Sequence, residues 1–316
     1  MTIDDFPATL ASGARTNTAD ILGDWGTTRL RLWRMDGDRI IDQIEAPGLG
    51  ASPIPPLDQL RQAIQPWTTD AARLRIALCG MAGSRAGLVE APYVGCPASR
   101  AEWCVASATL AIEGVDIRIA AGLSRDGSAP DVMRGEETQI FGAFHLRPDL
   151  AVRRCVVVTP GTHSKWALVE GGRIIDFRTF PTGELFDLVA RRSSLVIDDG
   201  SSADADDGLR QGLHRARDGA TVLGALFAAR SGQLRQGRSH GWATGYLSGL
   251  LIGAEIAEGR ALFAGEDVAV VIADPTLGKI YQRAFAEAEM YPASLQGDAC
   301  AMAGLGLVFD PETGCR

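Results

Sequence analysis

Residues 21–33 of the chain read ILGDWGTTRLRLW. Apolar residues alternate with polar ones or run together on both sides of a short polar turn, which is typical of a β-hairpin. Gly26 would let the backbone approach a ligand closely, and the amides and hydroxyls of Thr27 and Thr28 suit phosphate oxygens. Asp24, at the end of the first strand, carries the carboxylate that Mg²⁺ accepts as a ligand. An ordinary turn with a surface aspartate would have the same sequence, so this stretch alone leaves both interpretations open.

A second stretch repeats the pattern about 135 residues later. An apolar strand at 155–158 leads into the polar turn TPGTHSK at 159–165, a return strand, a tight turn at 170–172 and a third strand. A recurrence in this order and at this spacing predicts two domains of like fold. Two such hairpins facing across a cleft could hold the β- and γ-phosphates of a nucleotide. The candidate phosphate-binding residues of the second turn are Gly161, Thr162, His163, Ser164 and Lys165.

The composition favours small-molecule partners over nucleic acid or membrane. The chain has 316 residues and a net charge of −8, and a pI near 5.1, which argues against nucleic-acid binding. The six cysteines are scattered, without the paired spacing of zinc sites, as expected of a reduced cytoplasmic protein. The first residues lack the pattern of a signal peptide, and no apolar run is long enough to span a bilayer.

The predicted organisation is an α/β protein of two domains. Residues 1–19, rich in Thr, Ala and Ser, are expected to form a flexible tail. Residues 20–150 form the predicted N-terminal domain, which carries the substrate loops, and residues 151–316 form the C-terminal domain, which carries the nucleotide site.

A glycine-rich loop follows the predicted strand at 74–78 and reads CGMAGSRAG. Ligands of open α/β sheets bind at the carboxyl ends of strands. We therefore take Gly83, Ser84 and Arg85 as candidate substrate-binding residues, a plain connecting loop being the alternative.

Two adjacent acids, Glu136 and Glu137, begin a predicted helix after the turn residues at 131–135. Acids in the first turn favour the helix dipole, and this alone could explain them. At the mouth of a cleft, one of them could instead act as the general base that takes a hydroxyl proton during phosphoryl transfer.

The last third of the chain is predicted to be largely helical, with Thr182 as a helix cap and long helices at 220–230 and 244–258. A buried strand at 268–272 precedes Ala273, Asp274 and Pro275 and then a further helix. This strand–loop–helix could hold an adenosine.

Six motifs, in order along residues 20 to about 307, together resemble the sugar-kinase, actin and heat-shock-protein ATPase superfamily, and within it the 2-dehydro-3-deoxygalactonokinase family. They are Asp24–Thr28, Gly80–Ser84, Arg134–Gln139, Thr159–Lys165, Thr182–Phe186 and Ser248–Gly253.

The resemblance implies two ribonuclease H-like domains, with mixed five-stranded sheets and helices, flanking an interdomain cleft. It implies a kinase that uses ATP and Mg²⁺ to phosphorylate the 6-hydroxyl of 2-dehydro-3-deoxy-D-galactonate. Asp24 would belong to the first phosphate motif, and Gly161 and Thr162 to the second. The Gly-Glu-Glu sequence is similar to the Gly-x-Glu-Glu of exopolyphosphatases, which favours Glu136 or Glu137 as the base without deciding between them.

A sugar-acid substrate would be an anion, so an acidic protein needs local positive charge to bind it. The candidates are Arg85, Arg134 and Arg178, because a guanidinium binds a carboxylate through two hydrogen bonds.

The alternatives to a sugar-acid kinase are an exopolyphosphatase-like phosphohydrolase and a switching ATPase of the same superfamily. His163 beside Ser164 resembles a nucleophile pair, but adjacency in sequence is not triad geometry. A homodimer is one possible assembly.

Overall fold

The structure, a computed structural model, describes residues 19–68, 74–112 and 114–309. The first of its two units contains the described residues up to Arg153, the segment Val169–Asp176, and the described residues from Gly297 onward. The second contains Arg154–Leu168 and Phe177–Gln296. All of the predicted tail except residue 19 lies outside the described residues.

The first unit is built on a six-stranded mixed sheet, in the order β3-β2-β1-β4-β8-β7. Strand β1 pairs antiparallel with β2 and parallel with β4, which in turn pairs parallel with β8. A second sheet has the order β10-β9-β5. The elements are β1 (Ile21–Trp25), β2 (Arg29–Asp36), β3 (Arg39–Pro47), α1 (Pro56–Ile64), β4 (Leu74–Gly80), β5 (Tyr93–Gly95), β6 (Ala98–Ser99), α2 (Arg100–Val105), β7 (Ala108–Ile112), β8 (Val115–Ile119), β9 (Gly122–Arg125), β10 (Asp131–Met133), α3 (Glu136–Leu146) and α4 (Pro148–Val152).

The apolar alternation of the sequence accounts for the core of this unit. In β2, Leu30 and Leu32 are fully buried while Arg29 is exposed, so one face of the strand packs inward. Those leucines join Ile21, Trp25 and Ile76 in one hydrophobic cluster. The edge strand β7 adds a sixth strand to the five expected.

The second unit repeats the same strand order. Its sheet runs β15-β14-β11-β12-β13, with the two-residue strand β6 as a sixth strand beside β13, and with β14 parallel to both β11 and β15. As in the first unit, a central first strand has its hairpin on one side and parallel strands on the other. This confirms the predicted pair of mixed ribonuclease H-like sheets. The elements that follow α4 along the chain are β11 (Cys155–Thr159), β12 (Ser164–Glu170), β13 (Arg173–Phe180), α5 (Thr182–Arg192), α6 (Ala205–Arg217), α7 (Val222–Ala225), α8 (Phe227–Gln236), α9 (His240–Leu262), β14 (Val268–Ala273), α10 (Pro275–Glu287), β15 (Ala293–Gln296) and α11 (Gly297–Gly306), the last of which belongs to the first unit.

Helices α6 and α9 pack backbone against backbone through glycines. A Cβ at Gly249 would lie 2.1 Å from the carbonyl oxygen of Leu209, and one at Gly212 would lie 2.1 Å from that of Tyr246. The glycines of α9 recur every fourth residue, at 241, 245, 249 and 253, and so form one ridge along the helix. The motif Ser248–Gly253 is thus part of a close helix contact.

Helix α11 packs in the first unit, although it lies at the end of the chain. A Cβ at Gly304 would lie 2.0 Å from the carbonyl oxygen of Thr138 in α3. The division predicted from the sequence places this helix in the C-terminal domain, whereas its contacts are with the first unit. Among the described residues, no helix combines the length and apolarity needed to span a membrane.

Candidate active site

A second loop holds the turn between β1 and β2 by donating hydrogen bonds to the carbonyl groups of that turn. Gly26 N–H donates to Arg29 O at 2.8 Å and closes the hairpin. The N–H groups of the loop at 48–50 then donate to the carbonyl oxygens of Thr28, Gly26 and Thr27 at 2.9 to 3.1 Å. Within the described residues, the N–H groups of Thr27 and Thr28 have no main-chain acceptor. Both threonines are exposed, so the turn presents donors to a ligand.

Asp24 lies between a cation and a thiol. Its Oδ2 accepts a hydrogen bond from Arg31 Nη2 at 2.5 Å, and its Oδ1 lies 3.7 Å from Cys79 Sγ. Arg31 also donates through Nη1 to Asp298, in the first turn of α11. Burial raises the pKa of Asp298 despite the opposing effect of Arg31. Burial would lower the pKa of Arg31, but Asp24 and Asp298 raise it above its ordinary value.

The glycine-rich loop forms a tight turn beyond β4. Gly83 is buried, and Ser84 Oγ donates to Met81 O at 2.8 Å. Arg85 is 88% exposed and pairs with Glu90 at 3.0 Å. The loop therefore holds Gly83 in the interior and presents Arg85 to solvent.

Arg134 is fixed against this loop. Its Nη2 donates to Ala91 O at 2.8 Å, and its Cζ lies 4.2 Å from the centre of the Tyr93 ring. Nη1 is buried without a hydrogen-bond partner among the described residues, and a Cβ at Gly83 would lie 2.8 Å from it. Any residue larger than glycine at position 83 would displace the guanidinium.

The two acids at the start of α3 have different surroundings. Glu137 is fully buried, and both its carboxylate oxygens accept from Gly135 N–H, at 2.8 and 2.9 Å. Burial, and then the charge of Glu136, raise the pKa of Glu137 to about 7. Glu136 is partly exposed, and its Oε2 accepts from Arg134 N–H at 3.2 Å. Gly135 has a φ of 114°, which favours glycine at this bend.

The second predicted turn has a comparable arrangement in the second unit. Glu184 N–H, at the start of α5, donates to Thr162 O at 3.0 Å. A Cβ at Gly183 would lie 2.4 Å from Gly161 O, so the helix begins directly against the turn. Thr162 and His163 are exposed, and His163 Nε2 lies 2.8 Å from Glu184 Oε2.

Ser164 and Lys165, predicted at the same turn, are buried in β12. Ser164 Oγ lies 3.0 Å from the hydroxyl of Tyr281, so it is not paired with His163 as a nucleophile would be. The prediction that Thr182 caps α5 is wrong. The N-cap is Pro181 without a side-chain bond, and the Thr182 hydroxyl donates to the buried Glu255.

Two other predicted residues make local contacts in the second unit. Arg178 Nη1 donates to Phe177 O at 2.6 Å. Asp274 Oδ1 accepts from the N–H groups of Thr276 and Leu277 at 2.9 and 3.1 Å, which makes it the N-cap of α10. The predicted adenosine residues Ala273, Asp274 and Pro275 thus form the joint between β14 and α10.

The donor set is compatible with a magnesium ion that is bound mainly through phosphate. The described residues contain no cluster of three or more acidic, histidine or cysteine side chains suited to a metal. Mg²⁺ commonly keeps several waters and takes one or two carboxylates together with substrate phosphates. Asp24 and Asp298, joined through Arg31, supply two carboxylates, and Asp24 stands near the end of β1, just before the turn that carries the exposed Thr27 and Thr28.

The duplicated sheets, each with a Gly-Thr turn after its first strand, define a protein of the sugar-kinase and actin-like ATPase superfamily. The chain matches the 2-keto-3-deoxy-galactonokinase family over residues 24–308. It belongs to this family and is therefore a kinase.

Curated relatives agree with this assignment. The chain is 36% identical to a protein of Rhizobium meliloti (strain 1021) named as a probable 2-dehydro-3-deoxygalactonokinase. It is 33% identical to the 2-dehydro-3-deoxygalactonokinase of Escherichia coli (strain K12). Both comparisons cover 89% of this chain and 94% of the relative. A crystal structure of a Sinorhizobium meliloti protein named for the same activity aligns with a TM-score of 0.79 and 34% identity, covering 91% of this chain and 97% of the other.

Several residues of these sites were missed by sequence reasoning. Arg31 lies in a strand and Asp298 in the first turn of a helix, with no local signal of a shared site, yet Arg31 pairs with both Asp24 and Asp298. Tyr93 and Glu255 gave no local signal. The loop at 48–50 could have been suspected from its paired glycines after a strand.

Proposed function

We propose that the protein transfers the γ-phosphoryl group of ATP to the 6-hydroxyl of 2-dehydro-3-deoxy-D-galactonate. The observation that carries the proposal is the pair of equivalent turns, one after the first strand of each sheet, whose carbonyl oxygens are engaged by neighbouring segments. That arrangement leaves N–H groups and hydroxyls for an anion. The relatives named for this activity support the choice of substrate.

In this proposal the turns at 26–28 and 161–163 contact nucleotide phosphates. Phosphoryl transfer needs mainly positioning and neutralisation of charge, which fixed amides and hydroxyls provide. Ser164 and Lys165 are too deeply buried to contact a phosphate in this conformation. Gly161, Thr162 and His163 are the stronger candidates.

Asp24 would hold Mg²⁺, with Asp298 as a second carboxylate. The ion would neutralise phosphate charge when bound. Arg31 keeps the two carboxylates together and offsets their mutual repulsion.

Glu136 is the better candidate for the general base. A base must come within hydrogen-bonding distance of the proton it takes. Glu136 is partly exposed, whereas Glu137 is fully buried and holds the Gly135 bend through both oxygens. We therefore assign proton abstraction to Glu136 and support of the bend to Glu137.

The substrate carboxylate would be bound beside the loop at 81–87. Arg134 is held in place by Ala91 and the face of Tyr93, so it loses little conformational freedom when it binds an anion. Ser84 and Arg85 lie on the same loop. Arg178 remains a candidate from the second unit.

A coupled assay of ADP release across aldonates, 3-deoxy-2-keto acids and neutral sugars tests the proposal. We expect turnover with 2-dehydro-3-deoxy-D-galactonate, with a kcat/KM at least tenfold above that for the other acceptors. Phosphate release without any acceptor would instead identify a phosphohydrolase. Slow hydrolysis that no sugar acid accelerates would favour a switching ATPase.

A further inference from the structure

Glu255 of α9 is a buried carboxylate for which the proposed reaction has no use. The residue is only 3% exposed. Oε1 accepts from Trp166 Nε1 at 2.9 Å, and Oε2 accepts from the hydroxyl of Tyr281 at 2.7 Å and from that of Thr182. Ser164 Oγ lies 3.0 Å from the same tyrosine hydroxyl. Three polar side chains therefore donate to one acid, and Ser164 contacts one of the three.

These three donors and Ser164 come from three different segments of the second unit. Ser164 and Trp166 lie at the start of β12, directly after the turn at 159–163. Thr182 is the first residue of α5. Tyr281 is in α10, the helix that follows the proposed adenosine segment. Glu255 is thus bonded to the strand that follows the turn at 159–163, to the start of α5 and to the helix that follows the predicted adenosine residues.

The start of α5, which is bonded to Glu255, also contacts the turn at 159–163 directly. Gly183, next to Thr182, lies against the carbonyl of Gly161 so closely that a Cβ there would be 2.4 Å from the oxygen. Glu184 N–H donates to Thr162 O. A shift of the first turn of α5 would therefore move the main chain of Gly161 and Thr162.

Helix α9 gives the carboxylate a fixed support. Its glycine ridge packs on the backbone of α6, where Gly253 meets Ala216. Glu255 lies two residues further on, roughly 200° around the helix axis, so it points away from that contact. A buried carboxylate is costly unless its lone pairs are satisfied, and this one accepts hydrogen bonds on both oxygens.

We propose that Glu255 is a positioning residue, which holds the turn at 159–163 and the start of α5 in the arrangement that binds nucleotide phosphates. The inference rests on the proposed function, in that it takes this turn to be a nucleotide contact. Glu255 itself touches no substrate and acts through Thr182, Ser164 and Tyr281.

Nucleotide binding measured without an acceptor tests this directly. Calorimetric titration with a non-hydrolysable ATP analogue and Mg²⁺ gives a Kd that does not depend on turnover. We expect Glu255→Gln and Thr182→Val to weaken analogue binding about tenfold and to raise KM for ATP by a similar factor. KM for the sugar acid should stay within about twofold. Thr182→Ser keeps the hydroxyl and should restore the wild-type values.

Gln233→Met is the matched control for the loss of a buried polar bridge. Gln233 is buried in α8, and its amide bonds both the N–H and the carbonyl of Ile197 at 2.8 Å, also in the second unit. This variant should lower Tm while leaving both KM values unchanged. If Thr182→Val lowers Tm in the same way and leaves analogue binding unchanged, Glu255 has only a structural role and the inference is overturned.

Two further outcomes separate this inference from the proposed function. If Glu255→Gln does not fold, the Thr182→Val and Thr182→Ser pair decides, because each changes only one side-chain contact. If the wild-type protein itself binds no ATP analogue, the proposed function fails, and the inference fails with it. Normal binding by the wild type and equal binding by the variants overturns the inference alone.

Discussion

Asp24 and Arg31 face each other across the β1–β2 hairpin, with Asp24 Oδ2 2.5 Å from Arg31 Nη2. The pair is a register pair of the antiparallel ladder, so its geometry follows from the hairpin itself. The guanidinium also reaches Asp298, and thus links the first hairpin to the last helix within one unit.

Replacing Asp24 tests the metal assignment. We expect Asp24→Asn to lower kcat at least a hundredfold and to raise the Mg²⁺ concentration needed for half-maximal rate, because the amide cannot supply a charged ligand. Asp298→Asn should have a smaller effect, since Asp24 remains. Steady-state rates across a magnesium titration measure both. A near-native rate for Asp24→Asn would show that the ion is held elsewhere.

Substitutions of the two acids at the start of α3 should have different effects on kcat and KM. Glu136→Gln removes the proposed base and should lower kcat by a factor of about 10² to 10⁴, with little change in KM. Glu137→Gln should lower kcat less and should affect KM as well, because it disturbs the bend at Gly135. The opposite ranking of the two kcat values would reassign the base to Glu137.

The raised pKa of Glu137 predicts that the stability of the folded protein depends on pH. Its pKa in the folded protein, about 7, lies above the ordinary value of 4.5, so the folded state binds this proton more tightly than the unfolded state does. The resulting stabilisation is complete below about pH 4.5 and is lost as the pH rises through 7. The difference between the two pKa values corresponds to about 3 kcal/mol.

Urea denaturation at a series of pH values measures this effect. Between pH 5 and 8, the free energy of unfolding should fall less steeply with pH in Glu137→Gln than in the wild type. Equal slopes would mean that Glu137 titrates normally.

Arg134 and Arg85 should differ in their effect on the sugar acid. Arg134 is lodged between Ala91 and Tyr93, whereas Arg85 pairs with Glu90 at the surface. Arg134→Lys should raise KM for the acid at least tenfold and leave KM for ATP nearly unchanged, because an ammonium cannot bind a carboxylate through two parallel bonds. We expect a smaller rise for Arg85→Ala. Equal changes in both KM values for Arg134→Lys would remove it from the substrate site.

The close packing at the glycines of α9 can be tested by comparing a substitution there with one at a glycine of α10. Gly249→Ala would place a methyl group 2.1 Å from Leu209 O and force α6 and α9 apart, at a cost of about 3 kcal/mol. Gly278→Ala is the control, because its nearest atoms would be 3.8 Å away. It should be neutral or stabilise by up to about 1 kcal/mol. Chemical denaturation compares the two, and similar losses would contradict the close packing.

The local sequence patterns predicted the sheets but not the long-range contacts that hold the site residues in place. Both hairpins could be recognised because strand alternation and turn residues are close in sequence. The pairing of Arg31 with Asp298 joins residues 267 positions apart, and no local pattern carries such a contact. Thr182 illustrates the same limit. Its residue type and position favour a cap, but the distant Glu255 offers a buried acceptor.

The placement of α11 has a consequence for biosynthesis. The first hairpin leaves the ribosome early, whereas Asp298 and the carbonyl of Val308, which accepts a hydrogen bond from Arg118, are among the later residues to emerge. The first unit therefore cannot complete its native contacts during translation until the chain has been made through residue 308. A nascent chain arrested before residue 297 should expose the surface of α3 that α11 covers, and should need chaperone protection there.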